Sequence, residues 1–179
     1  MRNKWTALTG CAGEHFVAYK LSAMGYIVAL TRSGSPSIDL MVASPNGNKT
    51  VTIQVKTGNR PHRTYRKQPS KQNWSWPVGD KAKDCGADSF FYAFIDLKTP
   101  EQEESSPILP DKKEKLMPDV FIVPASVLAR DYAEYQKQTK EKQFWFGLGT
   151  EDKDSWRGPK EEPWAAYYEA WHLITKYLG

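Results

Sequence analysis

Two short stretches set unlike polar groups among aliphatic neighbours. Asp39 lies in "SIDLMVAS" (37–44), and Gln54 and Lys56 lie in "TVTIQVKT" (50–57). A carboxylate and an amide oxygen are hard donors of the kind that hold Mg²⁺, at about 2.1 Å. An ammonium group beside them can act on a water near that cation. The chemistry to which these three side chains are suited is metal-assisted hydrolysis, provided that the chain folds them onto one spot.

The intervening residues say how that could happen. "PNGN" (45–48) contains Asn-Gly, the strongest short signal for a β-hairpin, since both central turn residues need positive φ. With the loop centred there, facing residues have numbers that sum to 93. Val42 then faces Val51, Leu40 faces Ile53 and Ile38 faces Val55, which puts six apolar side chains on the core side. The other side receives Ala43 with Thr50, Met41 with Thr52, Asp39 with Gln54 and Ser37 with Lys56. A slip of one residue would scramble this separation. Opposed Cβ atoms are about 5 Å apart and the Asp39–Lys56 diagonal is about 7 Å, within reach of one cation and its water. Read from spacing alone, the same pattern also suits a hairpin whose outer face is polar because water wets it.

Upstream, residues 9–24 have helical spacing, with Val17, Leu21 and Met24 on one stripe, Glu14 a turn before them, and Gly25 as the stop. "YIVAL" (26–30) is a short strand and "TRSGSPS" (31–37) has turn chemistry. Downstream, 58–77 is polar, basic and aromatic without a clear period, and 78–88 has room for a short helix. "SFFYAFIDL" (89–97) is a strand buried on both faces, and 98–118 is a loop or insertion. "DVFIVP" (119–124) is a further strand that leads into a helix over 125–138. A terminal helix over 158–178 carries the stripe Trp164, Tyr168, Trp171, Ile174 and Leu178, suited to core packing or to a homodimer. The order is α-β-β-β, then β, β and α, which calls for an α/β or α+β domain with a mixed central sheet flanked by helices. A doubly wound dinucleotide fold lacks its glycine-rich strand-to-helix turn here.

At 179 residues the chain suits one domain, and its net charge of +4 permits an anionic partner. Two cysteines, Cys11 and Cys85, and the lack of a charged-then-apolar leader are expected of a cytoplasmic protein with free thiols. Two Cys and three scattered His offer no zinc spacing. The sequence also has no phosphate-cradling glycine loop and no Gly-x-Ser-x-Gly elbow.

A helix bearing Glu14, a strand, an acid-bearing strand over about 37–44, a turn, and a strand over about 49–57 with the triplet "QVK" (54–56) resembles the PD-(D/E)XK nuclease superfamily. Within it the pattern is most similar to Mrr-type restriction enzymes and Holliday-junction resolvases, some of whose relatives carry QxK. The likeness covers about 9–57, with weaker support from the later strands and helix. It implies a restriction-endonuclease-like core of αβββαβ order and a DNA endonuclease that uses Mg²⁺, with Mn²⁺ as a substitute. Asp39 is then the central metal ligand, Gln54 the second and the Val55 carbonyl a third, with Glu14 an outer ligand. Lys56 orients or deprotonates the attacking water. The chain departs from the pattern in lacking a literal Pro-Asp pair, because Ile38 precedes Asp39. It also has a neutral Gln54 where an acid is usual.

Between Lys56 and Lys83 eight Lys or Arg stand against one acid, Asp80, a local charge of eight less one, or +7. The expected contacts to double-stranded or branched DNA are Arg60, Arg63, Tyr65, Arg66, Lys67, Lys71, Trp74, Trp76 and Lys81. The cations would neutralise phosphates, and the aromatics would stack on bases or wedge between steps. The competing readings are a binding or protein-interaction module that has lost catalysis, and a phosphodiesterase acting on RNA.

Overall fold

The computed structural model describes residues 4–32, 37–58, 62–65, 68–84, 87–97, 117–139, 144–149 and 166–179. Its first element is helix α1 (Lys4–Ala23). Val17 and Leu21, one turn apart, are fully buried. The helix closes on Gly25, whose φ of 93° needs no Cβ to be accommodated. The Gly25 and Tyr26 amides return to the carbonyls of Ser22 at 2.9 Å and Leu21 at 3.1 Å, a left-handed cap. Met24, expected on the buried stripe, falls in this closing turn and is exposed.

Strands β1 (Ile27–Leu30), β2 (Leu40–Ala43) and β3 (Thr50–Gly58) then form an antiparallel meander. The β2–β3 partners are Leu40–Ile53, Met41–Thr52, Val42–Val51 and Ala43–Thr50, so the expected sum of 93 holds throughout. The loop is the four residues Pro45–Asn48. Ser44 donates its amide to the Lys49 carbonyl at 2.9 Å, and Gly47 takes a φ of 74°. The Asn46 side-chain oxygen accepts from the Ser44 hydroxyl at 2.7 Å and the Asn48 amide at 3.1 Å, fixing the turn locally.

Next come β4 (His62–Tyr65), β5 (Gln68–Pro77), a 3₁₀ turn (Gly79–Asp84), β6 (Phe90–Asp96) and β7 (Asp119–Pro124). Helix α2 (Ala125–Gln138), strand β8 (Trp145–Gly149) and helix α3 (His172–Leu178) complete the described elements. The central sheet runs β1-β2-β3-β6-β7. Only its β3–β6 pair is parallel, so the sheet is mixed, as expected. Strand β6 is buried along its whole length, as its unbroken apolar run requires. Its odd-numbered residues Phe91, Ala93 and Ile95 join Val17, Leu21, Trp171 and Ile174 in a core on one face. Its even-numbered residues Phe90, Tyr92 and Phe94 join Trp74, Trp76, Leu128 and Phe146 in a core on the other.

The structure corrects three expectations. The αβββαβ order would put an α-helix in the crossover from β3 to the parallel β6; here β4, β5 and the 3₁₀ turn make that crossover. The segment after β3 is therefore not an aperiodic loop. With β8 it forms a second sheet, β4-β5-β8, in which Trp74 pairs with Leu148 and Trp76 with Phe146. The terminal helix spans only His172–Leu178. Before it, Tyr168 bridges Phe121 on the free edge of β7, and Glu169 takes a φ of 48° that breaks helical continuity. Trp171, Ile174 and Leu178 are buried within the chain, so this part of the stripe is core. Trp164, Cys85 and residues 98–116 of the expected loop lie outside the described residues. Among the described residues no helix is long and apolar enough to cross a membrane.

Candidate active site

Asp39 sits one residue before β2, where main-chain bonds hold it between two strands. Its amide donates to the Ile53 carbonyl and its carbonyl accepts from the Thr31 amide, each at 2.9 Å. The Thr31 hydroxyl also donates to the Ile38 carbonyl at 2.6 Å, which ties down the preceding residue. The position of the acid is therefore fixed from both sides before its side chain makes any contact.

That side chain points at β3. Asp39 Oδ2 accepts the Val55 amide at 2.7 Å and also accepts from Gln54 Nε2. Gln54 is buried, at 8% exposure, so the bond also satisfies an amide that would otherwise lack water. The structure thus brings Asp39 and Gln54 together, but just beyond the paired register, which ends at Leu40–Ile53 with the Asp39 amide also bonded to the Ile53 carbonyl. The amide nitrogen faces the carboxylate, which can only accept, and the amide oxygen is turned away from Oδ2. A half-turn of the amide would exchange the two atoms. A strand residue directs its N–H and C=O to the same edge, so the Val55 carbonyl faces the edge on which its amide meets Asp39.

Lys56 follows two residues after Gln54 on the same face of β3, about 7 Å further along the strand, and is half-buried. Glu14 enters from α1. Burial raises its pKa above the ordinary value and the nearby Asp39 charge raises it further, while His15 acts in the opposite direction. Two carboxyl groups are therefore close enough to oppose each other's ionisation, the arrangement that a cation between them relieves. Among the described residues no three His, Cys, Asp or Glu side chains cluster as a metal site. A cation here would need the amide and the main chain to complete its ligands. The donors are all hard oxygens, which fits Mg²⁺ or Mn²⁺ and not a thiolate-seeking metal.

The basic segment divides. Arg63 and Tyr65 lie on β4, opposite Asn73 and Gln68, while Lys71 lies on β5 and Lys81 in the 3₁₀ turn. Arg60, Arg66 and Lys67 fall outside the described residues. Trp74 and Trp76 do not belong with them, because each is only 1% exposed. Trp74 packs on Phe121 with ring centroids 5.2 Å apart, and Trp76 on Phe94 at 5.1 Å. Trp76 also donates its indole N–H to the Ile95 carbonyl at 3.1 Å. Their faces are spent inside the protein, which corrects the expectation that they stack on bases.

Sequence reasoning missed Gly13. It is buried in mid-helix, directly before Glu14, and a Cβ built there would lie 1.9 Å from Thr57 Oγ1. The available signal was a glycine in a helix interior, where alanine would be the better helix former.

Neither a protein-family model nor a curated protein matches this sequence. A solved structure does: that of a bacterial homing endonuclease, I-Ssp6803I. It is 17% identical, with a TM-score of 0.51, over 96% of this chain and 92% of that one. At that identity the two share a fold.

Proposed function

We propose that this chain is a metal-dependent endonuclease that hydrolyses DNA phosphodiester bonds, a QxK variant of the PD-(D/E)XK superfamily with a restriction-endonuclease-like core. The observation that carries the reading is the meeting of Asp39, Gln54 and the Val55 main chain at the mouth of the hairpin, with Glu14 within electrostatic reach. The shared fold with a protein described as a homing endonuclease supports it. Asp39, Gln54 through its oxygen, the Val55 carbonyl and Glu14 would hold Mg²⁺ or Mn²⁺. When bound, such a cation lowers the pKa of water and stabilises charge on the phosphate being cut. Lys56 orients the attacking water and offsets the negative charge that builds on the scissile phosphate. Arg60, Arg63, Tyr65, Arg66, Lys67, Lys71 and Lys81 supply the contacts to the duplex or branched DNA. One such site cuts one strand at a time, and cutting both in one event takes two subunits.

The test is nicking of supercoiled plasmid and cleavage of branched oligonucleotides with Mg²⁺ or Mn²⁺ against EDTA, with a matched RNA arm. Conversion that needs metal and disappears in Asp39→Ala supports the reading. Cutting in EDTA, or full activity in the variant, defeats it.

One observation favours a second reading. The Gln54 amide already satisfies Asp39 through its nitrogen, as a structural lock would. On that reading the chain is a nucleic-acid-binding or protein-interaction module that retains the fold, and it would bind DNA in a salt-sensitive way without turnover in either metal.

A further inference from the structure

We propose that Gly13 is a positioning residue for the metal site: it lets α1 seat against Thr57 of β3 and so holds the Glu14 carboxylate beside Asp39. The inference rests on the endonuclease reading and adds to it a residue that touches neither metal nor substrate.

The contact is unusually close. A Cβ on Gly13 would meet Thr57 Oγ1 at 1.9 Å and Thr57 Cβ and Cγ2 at 3.0 Å each. Turning the threonine about χ1 can move Oγ1 away but leaves Thr57 Cβ at 3.0 Å, so helix and strand must still separate by a few tenths of an ångström. A side chain at 13 therefore shifts this turn of the helix relative to β3. Gly10, one turn earlier in the same helix, has nothing within 4 Å of its ideal Cβ. The demand for glycine is thus local to the turn that carries Glu14, and it opposes helix propensity.

Thr57 accepts a cost on its side of the contact too. Its Oγ1 is buried with no hydrogen-bond partner within the protein. Thr57 directly follows Lys56 and lies two residues after Val55, so the strand that carries three site groups is the strand on which the helix is seated. Because Glu14 is the residue next to Gly13, a displaced helix moves its carboxylate relative to Asp39. Residues that orient ligands without binding metal typically change affinity or activity about 10- to 100-fold.

The experiment compares Gly13→Ala with Gly10→Ala, and then adds Thr57→Ser, Thr57→Ala or Thr57→Gly to Gly13→Ala. Three quantities are read: the Mn²⁺ concentration at half-maximal nicking, DNA affinity in EDTA and far-UV circular dichroism. Gly13→Ala should raise the Mn²⁺ requirement about 10- to 100-fold, with metal-free DNA binding and helicity unchanged; Gly10→Ala should change none of these. Rescue should be graded by the atoms removed: partial with serine, whose hydroxyl can turn away, and with alanine, and full with glycine. If Gly13→Ala leaves the Mn²⁺ requirement within about twofold, or if Thr57→Gly restores nothing, the positioning role is wrong. Parallel loss of DNA binding and helicity in both Gly13→Ala and its Thr57→Gly double variant would mean a general structural role and also overturns it. A wild-type protein inert in both metals would remove the endonuclease reading and this role together. An active wild type with an unaffected Gly13→Ala removes this role alone.

Discussion

Two hairpins in this chain were met very differently by the sequence. The β2–β3 hairpin announces itself through Asn-Gly and alternating apolar residues, and its register follows from arithmetic on residue numbers. The β4–β5 hairpin, in the basic stretch after Gly58, gave no period at all. The difference lies in where each finds its apolar partners. The first packs Val51 and Ile53 against Leu40 and Val42, all within one continuous segment. The second buries Trp74 and Trp76 beside Leu148 and Phe146, some seventy residues away in sequence. A strand whose partners are distant carries only half of its own explanation. The two hairpins also divide the proposed work, turnover on the first and hold on the nucleic acid near the second. That division can be tested one residue at a time.

The largest effect is expected at Asp39. Removing a central metal ligand forfeits several kcal/mol of transition-state stabilisation, which corresponds to a loss of about a thousandfold or more in cleavage rate. Asp39→Ala should show that loss while still retarding DNA in a gel. If it cuts at more than about a tenth of the wild-type rate, the hairpin is not the seat of turnover. Lys56→Ala should lose about 10²- to 10⁴-fold, the usual range for a group that positions or moves a proton.

Trp76→Ala separates the hairpins in another way. Truncating a fully buried tryptophan costs about 3–5 kcal/mol, and here the Ile95 carbonyl also loses its donor. Chemical denaturation should show that loss. Among the variant molecules that remain folded, the salt dependence of DNA binding should be unaltered. A variant of wild-type stability with weakened binding would return the ring to the surface and restore the stacking role that its burial denies.

The fold was legible wherever short-range pattern and burial coincide. Gly25, the 93-sum register, the unbroken apolar run of β6, and the passage from β7 into α2 at Pro124 all follow from neighbours in sequence. The meeting of Asp39 and Gln54 was legible in part, since the hairpin brings them side by side just past the end of that register. What escaped was set by contacts over long separations. The orientation of the Gln54 amide depends on the acceptor it finds. Phe144, Phe146 and Leu148 alternate as a strand should, yet without knowledge of β5 nothing marks them as its partner. The 167–169 segment was assigned to a helix because Tyr168 fits a helical spacing, but pairing with β7 takes it instead.

A smaller change is expected from single cations near the second hairpin. With about five phosphates contacted, log affinity should fall against log salt with a slope of about −4.5. Arg63→Ala, if Arg63 contacts one of them, should reduce that slope by about one and weaken binding about equally across sequences. Its rate of cutting at saturating DNA should stay at the wild-type value. A change confined to the saturated rate would instead assign Arg63 to the chemistry of the first hairpin.

The smallest effect concerns stability and has a sign set by Glu14. Its carboxyl is held above the ordinary range by burial first and by Asp39 second, so the folded chain binds that proton more tightly than the unfolded chain does. The contribution to stability is therefore fully present below the unfolded value of about 4.3 and is lost as pH rises through the folded value. In EDTA at neutral pH, Glu14→Gln should then melt slightly higher than wild type, with the gap closing on acidification below about pH 4. Mg²⁺ should reverse the order, because a cation that binds only the folded protein stabilises it by mass action, and the glutamine has surrendered a charged ligand. Equal melting temperatures in EDTA at both pH values, with no separation on adding Mg²⁺, would place Glu14 on an ordinary solvated helix face and leave Asp39 without its second carboxylate.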